Sequence, residues 1–148
     1  MPVTRPQPGI LRVALDVPVR RLFDYLSPEA IPGAIRVGAR LKVPFGRRRL
    51  IGIVVETAPE SDIPQDRLKS AVETVDTVPI LDAETLALVC WAADYYHHPL
   101  GEALASALPR ALRLGAPAVR REQRWMATPE GVEALRRGEP RRAPRQRQ

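Results

Sequence analysis

Val37-Gly38-Ala39-Arg40-Leu41-Lys42-Val43-Pro44-Phe45-Gly46-Arg47-Arg48-Arg49-Leu50-Ile51-Gly52-Ile53-Val54-Val55 is the stretch that decides the fold. Val37 to Val43 reads as a strand halted by Pro44, because proline has no amide to give to a ladder. Phe45 to Arg49 reads as the connecting loop. Leu50 to Val55 is apolar on both faces apart from Gly52. A strand buried on both sides belongs in a central or barrel position. Gly52 marks a bulge or a close backbone approach.

Working outward, residues 10–17 alternate, and Leu11, Val13, Leu15 and Val17 share one face of a first strand. Pro18 stops it or places it at an edge. Leu22 to Leu26 reads as a short second strand, followed by a turn region carrying Pro32 and Gly33. Residues 59–69 are polar, with room for one helical turn. Ala71 to Val75 returns as a strand, and Pro79 closes the β-rich part. The period then changes. Asp82 is an N-cap residue, and Leu86, Val89, Cys90, Ala93 and Tyr96 recur at helical spacing, which predicts a helix over 83–97. Trp91 lies beside that stripe and is expected to close the core of the sheet. A second helix over 100–108 ends at Pro109, 112–117 is a linker, and Thr128-Pro129-Glu130-Gly131 opens a helix in a further unit.

The 148 residues include 16 Pro and 9 Gly, which excludes a long coiled coil or a bundle of long helices. The single cysteine excludes an intramolecular disulfide framework and a Cys-rich metal site. No apolar run is long enough to span a membrane, and the N-terminus has no signal core, so the expected compartment is the cytoplasm. The formal charge of +6 is uneven. Residues 1–105 hold 12 Lys+Arg against 13 Asp+Glu, whereas residues 106–148 hold 11 Arg against 4 Glu. The end of the chain, with Arg141, Arg142, Arg145 and Arg147, is either a disordered linker or a phosphate-binding arm. Between Ala30 and Val55 there is no acidic residue, while Arg36, Arg40, Lys42 and Arg47 to Arg49 are all basic. That window suits either a solvated hairpin or a nucleic-acid contact.

Catalytic signatures are missing. There is no phosphate-binding Gly-rich loop and no Gly-x-Ser-x-Gly elbow. His97 and His98 are neighbours that do not face one another on a helix, and no third metal ligand accompanies them. Cys90 reads as a buried structural thiol. Asp82, Glu84 and Asp94 form no matched acid–base pair.

Three stretches carry more than composition: Val13 to Leu26, with Arg20-Arg21-Leu22-Phe23-Asp24-Tyr25 at its end; Val37 to Val55; and Trp91-Ala92-Ala93-Asp94-Tyr95-Tyr96-His97-His98-Pro99-Leu100-Gly101-Glu102, running on to Pro109. In this order and spacing they resemble the N-terminal region of the primosomal protein N′ family, the PriA replication-restart helicases. The likeness runs from Ile10 to Arg110 and continues more weakly to Gly131. It implies an α+β fold: a β-rich, barrel-like 3′-end DNA-binding domain with C-terminal helices over 1–109. A linker and the incomplete start of a winged-helix domain, partly disordered, would occupy 110–148. It also implies recognition of the leading-strand 3′ end at arrested forks for primosome assembly. The parent family is an ATP-dependent 3′–5′ DNA helicase that uses ATP, magnesium and zinc. This chain stops inside the winged-helix region, so the expectation is a DNA-binding fragment with no catalysis and no cofactor of its own. Forked or 3′-ended DNA is the expected partner, with other primosome proteins reached through the full-length parent and no membrane. The rival reading, prompted by the near-neutral charge of 1–105, is a protein-interaction module docking on helicase lobes or primosome partners.

By position, the resemblance assigns Phe23, Asp24 and Tyr25 to the 3′-end pocket, with Gly46 on the adjoining loop and Lys69 as its basic neighbour. The family's mixed polar and basic loop is here purely basic, and Arg47, Arg48 and Arg49 are assigned to the DNA backbone. A carboxylate repels phosphate but accepts well from a base N–H or a sugar hydroxyl, so Asp24 suits a reader of a terminal nucleotide. On a strand, Phe23 and Tyr25 share one face and Asp24 takes the other, so the three line one surface only if the backbone bends. The plainer alternative puts the two rings in the core and Asp24 at a turn.

Overall fold

The computed structural model describes residues 9–28, 35–76, 78–119 and 124–138. The turn residues Pro32 and Gly33 and the arginine-rich end of the chain, expected to be partly disordered, lie outside these. The chain divides into two compact units, Met1–Ala118 and Val119–Gln148.

The first unit holds six strands: β1 (Ile10–Leu15), β2 (Phe23–Leu26), β3 (Arg40–Phe45), β4 (Arg48–Ala58), β5 (Lys69–Ser70) and β6 (Glu73–Thr74). Their order in the sheet is β5-β2-β1-β4-β3-β6. β5 and β6 are separated by only Ala71 and Val72, yet stand at opposite ends of that order. The two edges must therefore meet, and the sheet curls into a half-barrel. The Ala71 amide donates to the Leu26 carbonyl at 3.0 Å, and the next amide, Val72, donates to Lys42 at 2.8 Å. One short segment thus staples β2 to β3.

Alternation along β1 sends Leu11, Val13 and Leu15 into the barrel, where they meet Tyr25, Ile35, Leu41, Val43, Val54 and Ala71. The other face presents Ala14 and Ile53 to Leu81, Leu86, Leu104 and Leu108. These come from the helical layer, α1 (Ala83–Tyr95), α2 (Leu100–Ala107) and the residues around them. The central strand β4 is covered on both faces, as its sequence predicts. A Cβ on Gly52 would lie 2.4 Å from Val13 Cγ1 and 2.5 Å from Leu15 Cδ2, so Gly52 is a close approach. The bulge lies elsewhere: β1 pairs Arg12 with Glu56 but Val13 with Val54, leaving Val55 as the extra residue.

Several expectations need correcting. Pro44 does not halt β3; it sits inside the strand opposite Arg49. The loop is only Gly46-Arg47, with Gly46 at φ +58°, a two-residue hairpin whose first position favours glycine. Ala71 to Val75 is not one strand but the staple around β6. Trp91 does not close the core: it is 60% exposed, and Tyr96 is 72% exposed. Trp91 lies one residue, or about 100°, past Cys90 and so off the buried stripe. It stacks instead on Tyr95 at 5.2 Å along the outward side of α1. Arg40, counted among the basic surface residues, is fully buried and ion-paired with Asp76 at 2.7 Å. Cys90 is half-buried, and that burial pushes its thiol pKa up. Asp82 does cap α1, accepting from the Thr85 amide at 2.7 Å, and that hydrogen bond holds its carboxyl below the usual range.

The first unit includes one more helix, α3 (Arg110–Arg113), whose Leu112 carbonyl accepts from Arg40 Nη1 at 2.5 Å. In the second unit, α4 (Pro129–Arg136) starts where the sequence places it, with Thr128 Oγ1 accepting from the Gly131 amide at 3.2 Å. Among the described residues, no helix is long and apolar enough to cross a membrane, and no cluster of three His, Cys, Asp or Glu could hold a metal ion.

Candidate functional site

The staple does not run the full height of the barrel. β5 pairs only with Tyr25 and Leu26, and β6 only with Leu41 and Lys42. The start of β2 and the end of β3 lie at the same end of the barrel, because the strands between them alternate in direction. Phe23 and Phe45 therefore meet there edge-to-face at 5.3 Å, with no strand between them. After β4 the chain returns to β5 beside β2, and on the way Asp62, Ile63, Arg67 and Leu68 form a wall beside this open end. The result is an open groove of about 710 Å³.

The groove wraps the free edge of β2 and so takes residues from both of its faces. Phe23, Asp24, Tyr25, Gly46 and Lys69 all line it, together with Arg12, Arg21, Pro44, Phe45, Asp62, Ile63 and Arg67. The bend that the alternation of Phe23, Asp24 and Tyr25 seemed to demand is not needed, because a strand edge exposes both faces at once. Tyr25 forms the floor. Its ring is buried in the barrel, its hydroxyl donates to the Pro44 carbonyl at 3.0 Å, and burial pushes the phenol above its usual pKa. That hydrogen bond spans β2 and β3 just beyond the staple.

Asp24 sits on the outer face, opposite Arg12 on β1. The Ser61 hydroxyl donates to Asp24 Oδ2, and Ser61 Oγ in turn accepts from the Ile63 amide at 3.1 Å. Arg12 Nε lies 3.9 Å from Asp24 Oδ1, while Arg12 Nη1 donates to both oxygens of Glu56 at 3.1 and 3.3 Å. Asp24 is thus aimed from two sides, and its side chain stays 15% exposed. A carboxylate offers about four acceptor positions, and Ser61 occupies one. Arg12 lies near Oδ1, and the carboxylate retains acceptor capacity where it lines the groove.

The cations of the site divide sharply. Arg12 is engaged with Asp24 and Glu56, and Lys42 with Glu73 at 3.0 Å. Among the described residues, Arg21, Arg67 and Lys69 have no carboxylate partner. The Arg21 guanidinium instead lies over the Phe23 ring, 4.9 Å from its centroid. None of Arg47, Arg48 and Arg49 lines the groove. Arg47 occupies the hairpin turn. Arg48 and Arg49 alternate across β4, opposite Phe45 and Pro44 respectively, so they point from opposite faces.

Sequence reasoning missed Arg12, Arg21, Ser61 and Arg67. Arg12 carried a readable signal: it is the one charge inside an inward-alternating strand, so it had to project outward. Ser61 and Arg67 lie in a polar loop whose path depends on where β5 docks, and nothing local marks them.

Residues 12–109 match the family described as the 3′ DNA-binding domain (3′BD) of PriA. Among curated relatives, the replication restart protein PriA of Haemophilus influenzae is 39% identical over 138 residues, covering 93% of this chain and 19% of the relative. PriA of Buchnera aphidicola from Acyrthosiphon pisum is 32% identical over 103 residues, covering 70% of this chain and 14% of the relative. PriA of Bacillus subtilis is 33% identical over 104 residues, covering 68% and 13%. The chain therefore spans less than a fifth of the length of these relatives. A curled half-barrel backed by short helices, matched along most of its length, places the chain in the PriA 3′ DNA-binding domain family.

Proposed function

We propose that this chain reads the 3′ end of the leading strand at an arrested replication fork, as the DNA-binding part of a replication-restart helicase that prepares the fork for primosome assembly. The observation that carries the reading is Asp24. Its carboxylate is oriented by Ser61 and Arg12, keeps acceptor capacity, and lines a groove with an aromatic wall and three cations that, among the described residues, have no carboxylate partner. A free 3′-hydroxyl donates to such a carboxylate. A 3′-phosphate brings like charge against it and is rejected. The cations hold the phosphates without reading sequence, and Phe23 with Phe45 offers a surface for the terminal base. Binding of this kind needs neither catalysis nor a cofactor. In this reading residues 110–148 hold a linker and the start of a winged-helix unit, and the protein works in the cytoplasm.

Anisotropy of a labelled single strand and of a forked duplex, each with a 3′-hydroxyl or a 3′-phosphate, tests this. Tighter binding of the hydroxyl form, lost in Asp24→Ala, is the expected result. Equal affinities that fall steeply with salt would reduce the site to a generic basic surface.

A second reading, a protein-docking role, is favoured by one observation. Trp91, Tyr95 and Tyr96 form an exposed aromatic patch at the C-terminal end of α1, outside the groove. Trp91→Ala should leave the hydroxyl preference intact, because none of the three rings lines the groove.

A further inference from the structure

A second, smaller hollow of about 210 Å³ lies beside the groove, lined by Arg20, Arg21, Leu22, Cys90, Ala93, Asp94, His98 and Leu100. Arg21 and Leu22 line both depressions, so the two share a wall. We propose that this hollow is a phosphate subsite. It takes the backbone phosphate that precedes the terminal nucleotide, so the strand leaves the groove across Arg21 toward α1. The proposal rests on the reading of the groove as a 3′-end site and adds the path of the strand behind that end.

Three features support it. First, among the described residues neither Arg20 nor Arg21 has a carboxylate within ion-pairing distance, although Arg12, Arg40 and Lys42 all do. Two adjacent arginines left unpaired on a rim are available to an anion. Second, Arg21 is held in place. Its guanidinium lies over Phe23, and Phe23 is braced edge-to-face by Phe45. A guanidinium resting on a ring keeps its N–H edge free for phosphate oxygens. Third, the connection that presents the pair is tight: the Val17 amide donates to Leu15 at 2.7 Å, and the Val19 amide to Val17 at 2.8 Å, with Pro18 between them. Two such three-residue turns fix the loop where Arg20 begins.

The opposite wall supplies a contrast. Asp94 lines it, and His98 Nε2 is drawn to Glu102 at 3.5 Å. A phosphate in the hollow sits against the arginine wall and is repelled by Asp94. Removing that charge should therefore improve binding, a gain that a damaged fold does not produce. By contrast, Arg47 to Arg49 lie on the hairpin and line neither depression.

The test combines protein and ligand changes. Labelled 3′-hydroxyl single strands carry one neutral methylphosphonate, either at the phosphate preceding the terminal nucleotide or five nucleotides further back. In the wild type, neutralising the first position should weaken binding about three- to five-fold, with little effect at the distal one. Arg20→Ala should weaken the all-phosphate strand to a similar degree, lower the salt slope by about 0.7, and become insensitive to the proximal methylphosphonate. Asp94→Asn should bind the all-phosphate strand more tightly. If Arg20→Ala keeps full sensitivity to the proximal methylphosphonate, or Asp94→Asn changes nothing, the subsite is overturned while a preserved hydroxyl preference leaves the groove reading standing. If the hydroxyl preference is itself absent, the groove reading falls first.

Discussion

Arg40–Asp76 and Arg12–Asp24 are both arginine–aspartate pairs, both arginines project from the outer face of the same curled sheet, and they are built for opposite ends. Asp76 accepts from the Arg40 backbone amide at 3.0 Å, from Nε at 2.7 Å and from Nη2 at 2.7 Å, while Nη1 donates to Leu112. Every group of the guanidinium that faces the protein has a partner, and Arg40 has no exposed surface. That pair clips β3 to the segment after β6 and to α3. Asp24 is held by a hydroxyl and by an arginine at ion-pair distance, and it retains both exposure and acceptor capacity. Residue type does not separate a closed structural pair from one that keeps capacity to bind. The degree to which its hydrogen-bonding capacity is used does.

The largest effect should come from breaking the closed pair. Asp76→Ala leaves a buried guanidinium without its counter-charge, which costs about 3–5 kcal/mol. For a domain of this size that removes much of the stability. Asp24→Ala at the groove should cost under about 1 kcal/mol, because its ion pair with Arg12 is partly solvated. Urea unfolding of the two variants measures the contrast directly, and equal midpoints would break it.

Tyr25 tests the boundary between the two regions, since it lines the groove yet has its hydroxyl engaged. Tyr25→Phe removes the donor to Pro44 and should cost about 1 kcal/mol. It also carries a pH signature. Burial raises the folded pKa of Tyr25 above the unfolded value. Its contribution is therefore complete below pH 10 and is lost as pH rises through the folded pKa. Wild-type stability should fall more steeply above pH 10 than that of Tyr25→Phe. Parallel curves would mean that the phenol is not held by the fold.

The same distinction explains what could be read from the sequence. Alternation in β1 marks its buried face and the two-sided apolar run of β4 marks a central strand, and Asp82 and Thr128 announce their helices. Pro44 misled because a strand end without a staple needs no amide from that position. Trp91 misled because size suggests burial, whereas its angle on α1 decides. For the site, Phe23, Asp24, Tyr25, Gly46 and Lys69 meet because β5 docks beside β2, a contact 44 residues apart between Tyr25 and Lys69. Local pattern cannot register that pairing, nor can it tell that Arg40 is consumed by Asp76 whereas Arg21 has no carboxylate partner among the described residues.

The smallest effect on stability belongs to the arginine run. Replacing Arg47, Arg48 and Arg49 by alanine should change unfolding free energy by no more than about 0.5 kcal/mol, since all three are exposed. The binding role proposed for them separates along the same line as the two aspartates. Lying outside the groove and pointing from opposite faces of β4, they can add attraction for phosphate but cannot sense the terminal hydroxyl. The triple variant should weaken strands ending in hydroxyl and in phosphate by the same factor, with a shallower salt slope and an unchanged ratio between them. A shift in that ratio would place the hairpin inside the recognition site. It would also show that a site can extend onto residues that line no groove in the unbound protein, which the contrast between closed and open pairs does not provide for.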